Sequence, residues 1–176
     1  MPAAPLQIMP ATKVAELLDA YPQLEEILVR MAPPFKKLKN PILRKSIAKV
    51  ASLKQAAVVG RLELSSMINE LREAVGQPPL EGGESISEQD YLGTVPAWFS
   101  STCVAATVDD RDGGSDEMAI NRVVKELRDL NERQVVELLS TFVPAPGIDV
   151  ARKRGMLTWT VKETEQLYKT YFTRSD

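Results

Sequence analysis

Histidine is absent from this 176-residue chain, and cysteine occurs once, at Cys103. Without histidine there is no imidazole base, no Ser-His-Asp or Cys-His constellation, and no histidine-ligated haem or zinc. A single thiol excludes an intramolecular disulfide and any cysteine-clustered zinc or iron–sulfur site. A metal site would therefore have to be built from carboxylates, and no cofactor is expected. Long apolar runs are also missing: none approaches a membrane span, and residues 1–10 lack the basic start and apolar core of a signal peptide. The expectation is a cytoplasmic protein without a membrane partner.

What is present is ordinary for a soluble globular chain, with 44% hydrophobic and 26% charged residues. The net charge of −2 hides an uneven spread. Residues 1–77 hold 11 Lys+Arg against 7 Asp+Glu, whereas residues 78–176 hold 11 against 17. The excess of +4 in the first part is too mild to argue for nucleic acid, and its basic stretch has one aromatic residue, Phe35, for stacking on bases.

That basic stretch is Pro33-Pro34-Phe35-Lys36-Lys37-Leu38-Lys39-Asn40-Pro41. Lys36, Lys37 and Lys39 crowd three positive charges into four residues, and Asn40-Pro41 supplies an N-cap and first residue for a helix over 41–50 carrying Arg44. Lysines beside a helix N-terminus suit an anion. A solvated connector between helices is the plainer reading.

Around this loop the apolar spacing predicts about five short helices. Thr12 is the expected cap of the first, in which Val14, Leu17 and Leu18 share a face. Pro22 starts the second, with Leu24, Ile27, Leu28 and Met31 at three and four spacing, and Pro33-Pro34 ends it. Leu43, Ile47 and Val50 line the third, leaving Arg44, Lys45 and Lys49 elsewhere. Ser52-Leu53-Lys54-Gln55 has capping-box form, and Gly60 is the expected stop of that helix. The last runs from about Leu64 to Gly76, with Leu64, Met67, Ile68, Leu71 and Val75 in register.

The segments "YPQLEEIL", "PPFKKLKNPILRK" and "SLKQAA" resemble a small helical domain of unknown function. That domain is grouped with the hybrid-cluster-protein-associated redox-disulfide domain and the N-terminal part of ScdA-like iron–sulfur repair proteins. The resemblance covers residues 11–75. Members named for the redox disulfide carry a cysteine pair near the loop before the third helix. Here residues 31–38 contain none, so that thiol chemistry is lost at this place.

Residues 77–99 have linker composition at their start, Gln77-Pro78-Pro79-Leu80-Glu81-Gly82-Gly83. Tyr91, Trp98 and Phe99 would be costly to expose together, so docking on a domain is expected, with a ligand wall of Trp98 and Phe99 as the other reading. From residue 100 the pattern predicts βαβαββ: a strand over 103–108, a helix through Ile120, Val123, Val124, Leu127 and Leu130 capped by Ser115 or Asp116, and a strand over 135–143. A short helix over 148–154 stopped by Gly155 and an antiparallel hairpin, 157–161 with 167–172, complete it. The fold class is thus α+β: a helical bundle over 11–76, a linker over 77–99 and a two-layer α/β sandwich over 100–174.

The run "TVDDRDGGSDEM" with this order resembles the two-layer fold of TusA/SirA-like sulfur carriers and an uncharacterised relative of them. In the carriers a Cys-Pro-x-Pro motif starts the first helix, where the N-terminus stabilises a thiolate. This chain has Gly113-Gly114-Ser115-Asp116 there and no nucleophile. Cys103, early in the expected strand, reads as buried and inert, or alternatively as the thiol of a sulfur-trafficking or redox accessory protein. Asp109, Asp110, Asp112, Asp116 and Glu117 lack EF-hand spacing and read as a solvated loop with a helix cap rather than a cation site, with Arg111 as an ion-pair partner. The Gly113-Gly114 turn and the turn leading through Gly147 would place two helix N-termini on one sheet edge, a second place for an anion.

No catalytic set emerges, so a binding or regulatory role ranks above an enzyme. Its partner would be a protein or a small anionic ligand, held by Lys36, Lys37, Lys39, Asn40 and Arg44 or by Gly113, Gly114 and Gly147. Edge strands and the linker aromatics would also permit a homodimer.

Overall fold

The computed structural model describes residues 4–175, over which the chain is α+β and divides after Ser87 into two compact units. Among the described residues the first unit holds α1 (Val14–Ala20), α2 (Leu24–Met31), a 3-10 helix (Pro33–Lys39), α3 (Pro41–Val50), α4 (Leu53–Gly60) and α5 (Leu64–Ala74). Its core collects the inward stripe of each helix: Leu17 and Leu18, Leu24 and Leu28, Ala48, Leu53 and Ala57, Ile68 and Leu71. Three-and-four spacing puts those residues on one side of each cylinder, and burial against the other helices stabilises short helices that would be marginal alone.

The caps show which local signals act. Asn40 Oδ1 accepts from the Ile42 and Leu43 amides at 3.0 and 3.3 Å, and Ser52 with Gln55 forms the capping box, 3.2 and 3.0 Å. Thr12 does not cap α1. Its hydroxyl accepts from the Met9 amide at 2.9 Å, so it closes the preceding turn instead, and the helix begins at Val14. Likewise α2 begins at Leu24, because the Tyr21 and Pro22 carbonyls are used in a turn that holds the Leu24 and Glu25 amides.

The expected loop after Pro33 is helical, which is the largest local departure. Two prolines fit the first turn of a 3-10 helix, where their missing N–H groups cost nothing. Gly60, expected to stop α4, is its last residue, and Arg61 takes the left-handed conformation at φ 53°. Glycine is needed at 60 for space: a Cβ there would come 2.9 Å from Phe35 Cζ and 3.0 Å from Ala32 Cβ. Gly60→Ala is expected to push Phe35 out of its seat and cost about 1–3 kcal/mol in urea unfolding, with the double change Gly60→Ala, Phe35→Leu recovering most of the loss.

The second unit holds β1 (Val104–Asp109), α6 (Ala119–Arg128), β2 (Val135–Ser140), α7 (Ala145–Lys153), β3 (Met156–Thr164) and β4 (Leu167–Arg174). The mixed sheet runs β1-β2-β4-β3, with β1 parallel to β2 and β4 antiparallel to both β2 and β3. Register places Val108, Leu138, Thr170 and Thr160 in one row and Val136 and Phe172 in the next, and these side chains are buried. The amphipathic helices α6 and α7 supply the facing layer through Ile120, Val123, Leu127, Ile148 and Ala151. Period-two alternation leaves Thr107, Glu137, Tyr171 and Trp159 as a row on the opposite face.

Several boundaries differ from expectation. α6 starts at Ala119 behind Met118, not at Ser115 or Asp116, because the Ser115 hydroxyl accepts from the Glu117 amide within the loop. Cys103 ends a 3-10 turn before β1, its amide bonded to the Ser100 carbonyl, and it is half-buried rather than a buried strand residue.

The stretch 77–99 is shared between the units. Leu80 and Ile86 pack on the helical core, and the Leu80 amide donates to Asn69 at 2.8 Å. Residues 88–93 belong to the second unit: Glu88 accepts from Lys162 and from the Tyr168 hydroxyl, and Leu92 bridges to Thr160 on the outer edge of β3.

Candidate functional site

A 3-10 helix has three residues per turn, so side chains three apart stack into columns. In the segment Pro33–Lys39 that period sorts the chemistry. Ala32 and Phe35 are buried, and Leu38 packs on the core below them, while Pro33, Lys36 and Lys39 stand exposed. The inward column fixes the outward one. Lys37 lies on the third, half-buried column.

Asn40 links this column to α3 and takes the free amides of that helix for itself, since residue 41 is a proline and Ile42 and Leu43 donate to Asn40. Arg44 is half-buried and ion-paired to Glu25 on α2, which ties the two helices together. The cations of this face that carry no carboxylate are Lys36 and Lys39, joined on α3 by Lys45 and Lys49; all four are exposed and, among the described residues, none is ion-paired. Lys45 and Lys49 belonged to no sequence-level site, although their place off the apolar stripe was the signal for it.

The glycines expected to frame anion sites serve other ends. Gly113 adopts φ 63° in the loop after β1, and the Gly114 amide donates to Asp112, but α6 begins five residues beyond Gly114, so that turn is not a helix N-terminus. Gly147 lies inside α7, where a Cβ would meet Ile120 Cβ at 3.4 Å, so it permits close packing of α7 on α6.

The acidic loop is internally paired. Arg111 grips Asp109 with two bonds of 2.9 and 2.6 Å, and these hydrogen bonds hold the Asp109 carboxyl down at about 2. Buried Asp110 accepts from Arg122 at 3.4 Å. Among the described residues no three His, Cys, Asp or Glu side chains are grouped closely enough to hold a metal ion.

The linker aromatics dock, each in its own way. Tyr91 is buried against α7, its hydroxyl donating to Asp149 at 2.7 Å with Arg152 over its ring, and burial followed by that carboxylate pushes the phenol well above its usual range. Phe99 lies 4.7 Å from Trp159 and 4.5 Å from Tyr171, which stack on each other at 5.1 Å on the helix-free face of the sheet. Trp98 meets Phe99 edge-on at 6.2 Å. Trp159 donates its ring N–H to the Gly93 carbonyl at 2.8 Å, and Tyr171 is pushed up to about 12, first by burial and then by its hydrogen bond to Glu137. Trp159 and Tyr171 were missed as members of this cluster because they meet only through strand pairing.

A further concavity of about 390 Å³ lies in the helical unit, lined by Arg30, Met31, Leu62, Glu63, Ser66, Met67 and Glu70. Glu63 is the N-cap of α5, and its bonds from Ser66 and Ser65 hold its carboxyl down at about 2.

The architecture is thus a helical unit presenting an exposed basic face, followed by an α+β unit on which Tyr91 is buried and Phe99 is half-buried. Residues 8–68 match the model of a family described as a domain of unknown function, DUF1858, and this is the part that carries the basic face. No curated protein and no solved structure matches the chain. No helix among the described residues is long and apolar enough to cross a membrane.

Proposed function

We propose that this chain is a non-enzymatic cytoplasmic binding module whose helical unit recognises an anionic group on a small ligand or protein partner. The observation that carries this reading is the 3-10 helix Pro33–Lys39, which buries Phe35 and turns Lys36 and Lys39 to solvent. A cation on a fixed backbone loses less freedom on binding than one on a loose loop. The second unit, with its βαβαββ order and β1-β2-β4-β3 sheet, supports reading it as a TusA/SirA-like sandwich acting as companion to the helical unit. Its glycines and the acidic loop stay outside this reading, since their polar groups are satisfied within the loop or lie inside a helix.

The test is the affinity of the full chain for inorganic polyphosphate across a salt series. The double change Lys36→Glu, Lys39→Glu is expected to weaken binding at least about tenfold and to flatten its salt dependence, because fewer ion contacts are formed. Gly147→Ala should leave it unaltered. Loss in the Gly147 variant, or no loss in the lysine variant, would remove the helical face from the site.

One observation favours a second reading, sulfur or redox chemistry at Cys103: the thiol is half-buried in a turn rather than enclosed in the strand. It sits before β1, whereas α6 follows that strand, so no helix start adjoins it in the chain. Unaltered physiology in a Cys103→Ser strain would dismiss it.

A further inference from the structure

The basic surface does not stop at the 3-10 helix. At 100° per residue, Ile42, Lys45 and Lys49 fall within an arc of about 60° on α3. All three are exposed, and Ile42 is exposed to 58%, in the first turn of the helix just beyond Lys39. The stripe of α3 that faces the core is a different one, through Leu43 and Ala48. An apolar β-branched side chain therefore stands on the solvent side of the helix, preceded in the chain by Lys36 and Lys39 and followed by Lys45 and Lys49, none of them ion-paired among the described residues.

Length decides what kind of anion this arrangement fits. From Ile42 to Lys49 the helix rises about 10 Å, and Lys36 and Lys39 stand one 3-10 turn, about 6 Å, apart in the segment before it. A single small anion reaches two of these lysines at most. The amides at the α3 N-terminus, which would otherwise reward a compact phosphate, are already taken by Asn40. A single strand of nucleic acid would be held largely by rings to stack on, and the one aromatic of the segment, Phe35, is 7% exposed and faces inward.

We infer that this face docks an extended acidic protein segment that carries an apolar side chain, the carboxylates meeting Lys36, Lys39, Lys45 and Lys49 and the apolar group covering Ile42. An apolar contact ringed by complementary charge is the anatomy of a small protein interface. The inference rests on the proposed function above and narrows its ligand to a protein segment.

Fluorescence anisotropy of the full chain with two labelled peptides of equal charge, one alternating Glu with Leu and one alternating Glu with Gly, tests it. The Glu/Leu peptide is expected to bind more tightly. Ile42→Ser should weaken the Glu/Leu peptide about tenfold and leave the Glu/Gly peptide alone, while Lys45→Glu with Lys49→Glu weakens both. Equal affinity for the two peptides, no effect of Ile42→Ser, or tighter binding to a single-stranded oligonucleotide or to vesicles rich in anionic lipid would each overturn it. If polyphosphate binding still depends on Lys36 and Lys39 in that event, the broader reading survives and only the protein segment falls.

Discussion

Replacing Arg72 with alanine is expected to destabilise the helical unit by about 3–4 kcal/mol. Arg72 is 5% exposed and, among the described residues, has no carboxylate partner; its guanidinium donates to the carbonyls of Pro78 at 2.6 Å and Ile8 at 2.7 Å. Those carbonyls belong to the segments before α1 and after α5, so one side chain on α5 holds both. Gln77 repeats the arrangement, accepting from the Ile8 amide and donating to the Leu6 carbonyl and the Tyr21 hydroxyl. Truncation would orphan the buried Ile8 acceptor, break the half-buried bond to Pro78 and remove the packed aliphatic stem. Arg72→Lys should recover part of the loss, since one ammonium cannot span both carbonyls as the fork does. Both tryptophans, Trp98 and Trp159, lie in the second unit. The urea transition seen by far-ultraviolet circular dichroism should therefore shift while the one seen by tryptophan fluorescence stays. A loss below about 1 kcal/mol would show that water replaces the guanidinium without difficulty.

Phe35→Ala is expected to cost about 3 kcal/mol and to disable the basic face as well. The ring is buried over Gly60, and its column is what orients Lys36 and Lys39 outward. Without it the two prolines still restrict the backbone and Leu38 still packs on the core, but the contact of the segment with Gly60 of α4 through the ring is gone. Polyphosphate affinity should then fall several-fold although every lysine remains, and proteolysis should cut within residues 33–40. Undiminished affinity would mean that the lysines act as loose charges and that their scaffold is irrelevant.

The helices were legible because each signal is local: the stripe of α5 and the Asn40 and Ser52 caps lie within a few residues of what they fix. The 3-10 helix was not, since Pro33-Pro34 reads as a stop unless one asks whether a period of three continues through Phe35 and Leu38. Gly60 looked like a helix stop because its real reason, the approach of Phe35, comes from another element. The meeting of Phe99 with Trp159 and Tyr171 depends on strand register, and the bridge of Leu92 to Thr160 joins residues far apart in the chain. Thr12 and Ser115 show the same limit at small scale, because their hydroxyls serve a neighbouring turn in preference to the helix. For the binding surface, the charges of Lys36 and Lys39 could be read directly. The sharing of one solvent face by Ile42, Lys45 and Lys49 needed the burial of the opposite stripe.

An amide-resolved NMR titration of the full chain with inorganic polyphosphate tests the central claim most directly. The account predicts saturable shifts concentrated in residues 33–49, lost when Lys36 and Lys39 are changed to Glu, with residues 109–117 and 145–148 unmoved. Shifts centred on those second-unit segments, or no saturable shift in the helical unit, would contradict it.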